Sequence, residues 1–499
     1  MISKLFKNAT YNSISWLITV MLSIASTPFF VKLLTVELYG IYILLLSLIA
    51  YYNLLDLGLG QGVTKYVSQY LALKDTKRII DFINCAIIIQ IVFGLIGTFL
   101  LFFFAPNIIH FFKVSLQNQN AAIASLRCCS FGFFFTMITS TFTAILNGLQ
   151  RYDLTAKLSV LYNLFLTVFS ILVLFISKSL FLLIQINVFL SIIISLVYFF
   201  HVKANIPFWH FSLNVQSATL RQLFGFSKYV FFSRFLNLFN NYIIRFFIGG
   251  FFGPSAVTYF TIPSKLISAI GGLLSNASIV LFPFASELSS KNDNLSDLKN
   301  IYVKSNRLFN FILIPMLLSI AIFSKTILAL WMGVNIAEKT WQILSILCFS
   351  NILGAITTIP INIILGIGKV KPIIYNALCA LLIYVLFLYP SMHIFNLNGV
   401  PITMILAAIP GLVLFFYITE KIFLLSFTSF VKDVFGIHII MMVVAIIIIL
   451  ISQTCLNLYS ANSLMMLLLF LIFYYIVLLI KYPFFLHYKF FKQIKGFNR

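Results

Sequence analysis

Five ionisable side chains lie inside long apolar runs of this 499-residue chain: Asp56, Arg127, Arg234, Arg245 and Lys265. A charge at the centre of a bilayer costs roughly 2.5–3.5 kcal/mol even on lenient scales, so such a group normally faces a wet cavity or a partner. Four of the five are basic, an excess that suggests an anionic ligand. Arg234 and Arg245 are eleven residues apart, about three helical turns, and share a face with Asn237 and Asn241. A guanidinium presents a planar fork that matches phosphate oxygens, so this stripe reads as a phosphate-contacting cavity wall. The competing reading is snorkelling to the two interfaces, or a structural pair with another helix. Arg127 lies near the outer end of its run, where snorkelling is as good an account, whereas Lys265 is placed deeper and reads as cavity-lining. Asp56, in Leu54-Leu55-Asp56-Leu57-Gly58-Leu59-Gly60, is the one acidic member. It pairs with a basic residue, exchanges a proton or Na⁺ during transport, or caps a broken helix end beside Gly58 and Gly60.

The elements that must hold these groups are apolar runs of about 20 residues, the length that spans a ~30 Å hydrocarbon core as a helix. Fourteen are expected, at 14–34, 41–63, 82–104, 122–146, 157–177, 180–202, 226–249, 256–284, 306–330, 340–366, 372–391, 398–419, 434–455 and 462–482. The runs lack the two-residue alternation of a barrel, so the fold class is an all-α polytopic membrane protein. Mean hydropathy is +1.07, and charged residues make up 9% of the chain against about 25% in soluble domains. The longest polar gaps, at 203–228 and 287–307, are too short for a soluble catalytic domain.

The net charge of +22 would suggest nucleic acid in a soluble protein, but here it reads as retention of loops beside anionic lipid. Of 33 Lys and Arg residues, 24 fall on the side that holds both termini and 5 on the other, which orients the termini to the cytoplasm. Lys4 and Lys7 precede the first run as in a signal peptide, yet the run continues through Pro28 without a small-residue cleavage site, so it reads as a first span. The six cysteines fall in apolar runs without metal spacing, and no P-loop, HExxH, GxSxG or GxGxxG motif occurs. Neither enzyme activity, a metal, nor a cofactor beyond a coupling H⁺ or Na⁺ is expected.

An internal repeat appears at an offset of 218 residues, where Gly148-Leu149-Gln150-Arg151 faces Gly366-Ile367-Gly368-Lys369. The expected organisation is a six-helix bundle over 1–210, a second over 211–425 in the same orientation, and two further helices with a basic tail over 426–499. Parallel repeats of this kind enclose a cavity between the halves.

Three local motifs carry a family resemblance: residues 54–62 (LLDLGLGQG), residues 144–153 (AILNGLQRYD), and Phe224-Gly225-Phe226 followed by residues 251–257 (FFGPSAV). Their order and spacing, with six plus six plus two helices, resemble the multidrug/oligosaccharidyl-lipid/polysaccharide exporter superfamily, and within it the Wzx-type O-antigen flippases of bacterial inner membranes. The resemblance implies alternating-access movement of an undecaprenyl-diphosphate-linked oligosaccharide to the periplasmic leaflet, with contacts to the bilayer and to other polysaccharide assembly proteins. It transfers no site list. Lipid II flippases share the helix number and a cationic cavity. Drug/cation antiporters of the superfamily usually have twelve helices and acidic sites.

Overall fold

The computed structural model describes residues 2–50, 58–212, 217–225, 227, 243–278, 295–368, 371–444 and 461–481. All regular elements among them are helices. The chain divides into two compact units, Met1–Thr258 and Tyr259–Arg499.

The first unit contains α1 Ile2–Leu34, α2 Val36–Ala50, α3 Leu59–Ala72, α4 Thr76–Phe103, α5 Ala105–Phe111, α6 Leu116–Gly148, α7 Tyr152–Ser177, α8 Leu180–Asn205 and α9 Ile244–Phe252. Then α10 Pro254–Ser278 runs across the boundary. The second unit continues with α11 Leu295–Ile322, α12 Ser324–Met332, α13 Val334–Gly366, α14 Lys371–Phe395, α15 Gly399–Tyr417, α16 Phe427–Val434, α17 Gly436–Val444 and α18 Ala461–Lys481.

Eight helical stretches among the described residues are long and apolar enough to cross a membrane, or nine if the bent pair α16–α17 is one span. One of the eight, Lys371–Ile422, is 52 residues, about 78 Å as a straight helix and more than two bilayer cores. It is folded in two. A 3₁₀ turn at Asn396–Asn398 separates α14 from α15, the two helices pack along each other, and a Cβ at Gly399 would sit 2.0 Å from the Ser391 carbonyl oxygen. The chain is thus a multi-span helical membrane protein.

The 218-residue repeat is written in helix ends and backbone torsions. α6 and α13 are both 33 residues and begin and end 218 residues apart. Left-handed residues recur at the same offset: Thr35 (φ 108) and Gly253 (φ 82), Gln150 (φ 58) and Gly368 (φ 82), Lys178 (φ 50) and Asn396 (φ 50). Each pair ends or separates a helix, so the breaks repeat even where the residue types do not.

Several short helices lie where polar gaps were expected. α3 places Leu59, Val63, Tyr66, Val67 and Tyr70 on one buried face, at three- and four-residue spacing. Tyr66 and Tyr70 stack on Phe82 of α4, at ring distances of 4.7 and 5.3 Å. The segment after α8 is tied to the same core: Trp209 Nε1 donates to Asn84 Oδ1 (2.9 Å), and Asn84 Nδ2 donates to the His210 carbonyl (3.1 Å). Cys85, Cys129 and Cys348 are buried, whereas Cys379 is exposed.

Candidate functional site

Of the basic candidates, Arg245 is the one whose setting is best defined. It is half-buried near the start of α9, and its Nη1 donates to Ser47 Oγ on α2 at 3.3 Å. Ser47 is buried and donates its own hydrogen to the Ile43 carbonyl at 2.8 Å, so its oxygen is turned into an acceptor for the guanidinium. The scaffold around this pair is tight. A Cβ at Gly249 would touch the Leu44 side chain at 3.0 Å, and Phe246 stacks on Phe112 at 5.4 Å.

Beyond α9 the chain breaks at Gly253, whose φ of 82 favours glycine, and restarts at Pro254, a residue suited to the first helical turn. Thr258 Oγ1 donates to the Val36 carbonyl at 2.7 Å, and a Cβ at Gly40 would lie 1.9 Å from the Pro254 carbonyl oxygen. Gly40 and Thr258 are themselves 218 residues apart, so equivalent segments of the repeat meet each other here. This elbow positions α9, and hence Arg245, against α2.

The remaining candidates are dispersed. Arg127 is exposed on α6, with its guanidinium 5.3 Å from the Phe102 ring centre. An aromatic face is thus the cation's neighbour. Lys265 is half-buried in α10, about 17 Å along the axis from Pro254. Arg234, Asn237, Asn241 and Asp56 lie outside the described residues, and Gly58, two residues after Asp56, has φ 75 and opens α3. No cluster of three His, Cys, Asp or Glu that could hold a metal occurs among the described residues.

A second feature was missed in the search for charge. A partly open cavity of about 370 Å³ lies within the first unit, between α1, α6, α7 and α8. α6 lines it with Thr136, Thr139, Thr143 and Asn147. These spacings of three, four and four residues form a stripe on one helix face. The signal was present as hydroxyls at helical period, but apolar-run counting treats threonine as neutral.

A half-buried guanidinium and a hydroxyl-lined cavity thus lie within one unit of a multi-span helical fold. The model of a family described as polysaccharide biosynthesis protein matches residues 29–339, and the chain belongs to that family. A Shigella flexneri protein provisionally assigned as an O-antigen transporter is 21% identical over 401 residues, covering 80% of this chain and 94% of that protein. Among solved structures, the lipid II flippase MurJ in an inward closed conformation superposes with a TM-score of 0.72 at 16% identity, over 95% of this chain and 99% of that one. An inward-facing MATE multidrug resistance transporter of the MOP superfamily gives 0.64 at 15% identity, over 80% and 93%. The fold is therefore the one these two solved structures share.

Proposed function

We propose that this protein is a flippase that carries an undecaprenyl-diphosphate-linked oligosaccharide, an O-antigen unit or a similar repeat, from the cytoplasmic to the periplasmic leaflet of a bacterial inner membrane. The observation that carries the reading is the alignment with the Shigella flexneri protein over nearly its whole length, in a chain whose family is polysaccharide biosynthesis. The geometry agrees with an anionic head group. Arg245 is half-buried and donates to Ser47, and the fork of N–H groups of a guanidinium is the natural partner of a diphosphate. Arg234, Lys265, Arg127, Asn237 and Asn241 complete the proposed cationic and polar lining. The polyprenyl tail stays in lipid, the lobes rock, and the substrate leaves chemically unchanged.

Asp56 is proposed to couple the cycle to H⁺ or Na⁺. An Asp56→Asn variant that keeps full, gradient-sensitive translocation contradicts that role.

The test of the function is complementation of a flippase-deleted strain with a matched glycan pathway, scored by surface polysaccharide and by the sidedness of lipid-linked units. Restored surface polymer supports the reading, and lipid-linked units that stay inside contradict it. The likeness to MurJ along 95% of the chain favours lipid II as a second substrate reading. Rescue of a strain depleted of its lipid II flippase separates the two.

A further inference from the structure

The cavity in the first unit has a chemistry opposite to that of Arg245. None of its described lining residues is Asp, Glu, Lys, Arg or His. Several of its hydroxyls are also committed in one direction. Thr136, Thr139 and Thr143 each donate to a backbone carbonyl of α6 at 2.8 Å, and Ser191 donates to Val188 at 2.7 Å. The Thr155 hydroxyl has two acceptors at 3.2 Å, Asn147 Oδ1 and the Tyr152 carbonyl, and the Asn147 amide is a donor. A hydroxyl whose one hydrogen is used locally offers only lone pairs to a ligand. The walls therefore present several acceptors, a few donors from Asn147, Tyr152 and Tyr162, and the faces of those tyrosine rings.

Phosphate oxygens are acceptors only and meet mostly lone pairs here, so the described walls offer a diphosphate few donors. Sugar hydroxyls and acylamino N–H groups donate as well as accept, and sugar C–H faces pack on aromatic rings. The volume of about 370 Å³ lies at the lower end of the ~300–1,000 Å³ of small-ligand sites, room for a sugar ring or two rather than a whole lipid-linked unit. The cavity runs from Asn147, beside the turn that carries Arg151, to Thr136, about 16 Å deeper along α6. Its shallow end thus lies on the basic side of the chain, the side expected to face the cytoplasm, where the sugars are presented.

We propose that this cavity is the glycan subsite: it takes one or two uncharged sugar rings of the oligosaccharide while the diphosphate stays with the basic residues. The proposal rests on the flippase reading above.

The test uses the purified full-length protein and native mass spectrometry with two probes. One is the lipid-linked oligosaccharide accumulated by a matched flippase-deficient strain, and the other is undecaprenyl diphosphate without sugar. Thr139→Val/Thr143→Val keeps side-chain shape and removes two acceptors. It is expected to weaken binding of the oligosaccharide lipid about tenfold and leave the sugar-free lipid unchanged. Thr139→Ser/Thr143→Ser restores the difference, and Tyr162→Phe reproduces the selective loss at smaller size. Unchanged binding of both probes, or parallel loss of both in the valine pair and in Tyr162→Phe, overturns the subsite. Wild-type protein that binds neither probe overturns the flippase reading itself, and the subsite with it.

Discussion

Helices α6 and α13 are the same element of the repeat with two different linings. Both are 33 residues, with ends 218 residues apart. In the first unit the face of α6 toward α7 and α8 is left open and lined with Thr136, Thr139, Thr143 and Asn147 around about 370 Å³. The counterparts in α13 are Gly354, Thr357, Ile361 and Leu365, and the stripe is reduced to one hydroxyl. That hydroxyl is packed over: a Cβ at Gly411 of α15 would lie 3.0 Å from Thr357 Cγ2. The cavity beside α13 is about 110 Å³ and takes Asn351, Gly354, Ala355 and Thr358 from that helix, facing Ile267, Ile270, Leu313 and Leu317. Apolar length and repeated breaks preserve a helix through divergence, whereas the polar lining of one face is free to change. A unit can therefore be specialised for a ligand without any change of fold.

The contrast extends to the α2–α10 elbow, where equivalent residues Gly40 and Thr258 meet. Gly40→Ala drives a Cβ into a backbone carbonyl, which cannot rotate away, and is expected to cost about 3 kcal/mol. Thr258→Ala loses one hydrogen bond at a cost of about 1 kcal/mol. Thermal unfolding of the detergent-solubilised protein reads both, and equal effects break the account of the elbow.

Next in size is Arg245→Ala, expected to lower translocation roughly 30-fold, the loss of a charge-assisted contact worth about 2 kcal/mol. Arg245→Lys recovers only part, because a point charge replaces a fork.

The comparison of α6 with α13 is sharpened by paired single substitutions. Thr139→Val is expected to reduce affinity for the oligosaccharide lipid about threefold to fivefold, and Thr357→Val to change it less than about twofold. Equal losses mean that the two helices are not functionally distinct.

The smallest effect concerns the repeated left-handed breaks. Gln150→Gly relieves a positive φ and is expected to stabilise by about 0.5 kcal/mol, while Gly368→Gln imposes the same strain in the second unit. Opposite shifts of the unfolding midpoint are expected, and shifts of the same sign contradict the equivalence of the two turns.

Much of this fold was legible in the residues because lipid imposes one rule, a closed backbone within about 20 apolar positions. The repeat at 218 and the helices at 82–104 and 122–146 follow from it, although α4 and α6 extend beyond those limits to Thr76–Phe103 and Leu116–Gly148. Interfacial elements were less legible. The expected span ends at residue 63, where Thr64, Lys65, Ser68 and Gln69 break the apolar run, yet Leu59, Val63, Tyr66 and Tyr70 carry the helical period through α3. The cationic candidates were legible as residue types but not as neighbours. Arg127 and Arg245 look alike as charges in apolar runs, and only packing separates an exposed guanidinium over Phe102 from one held by Ser47. The hydroxyl stripe of α6 escaped because threonine, bonded back to its own helix, scores as compatible with a membrane.

The most direct measurement is translocation in proteoliposomes loaded with the lipid-linked oligosaccharide, with sidedness read by a membrane-impermeant glycan-modifying reagent. The account predicts that wild-type protein moves the lipid faster than protein-free vesicles and that Arg245→Ala falls most of the way back to that background. Wild-type protein that moves the lipid no faster than empty vesicles, with the matched glycan present, contradicts it.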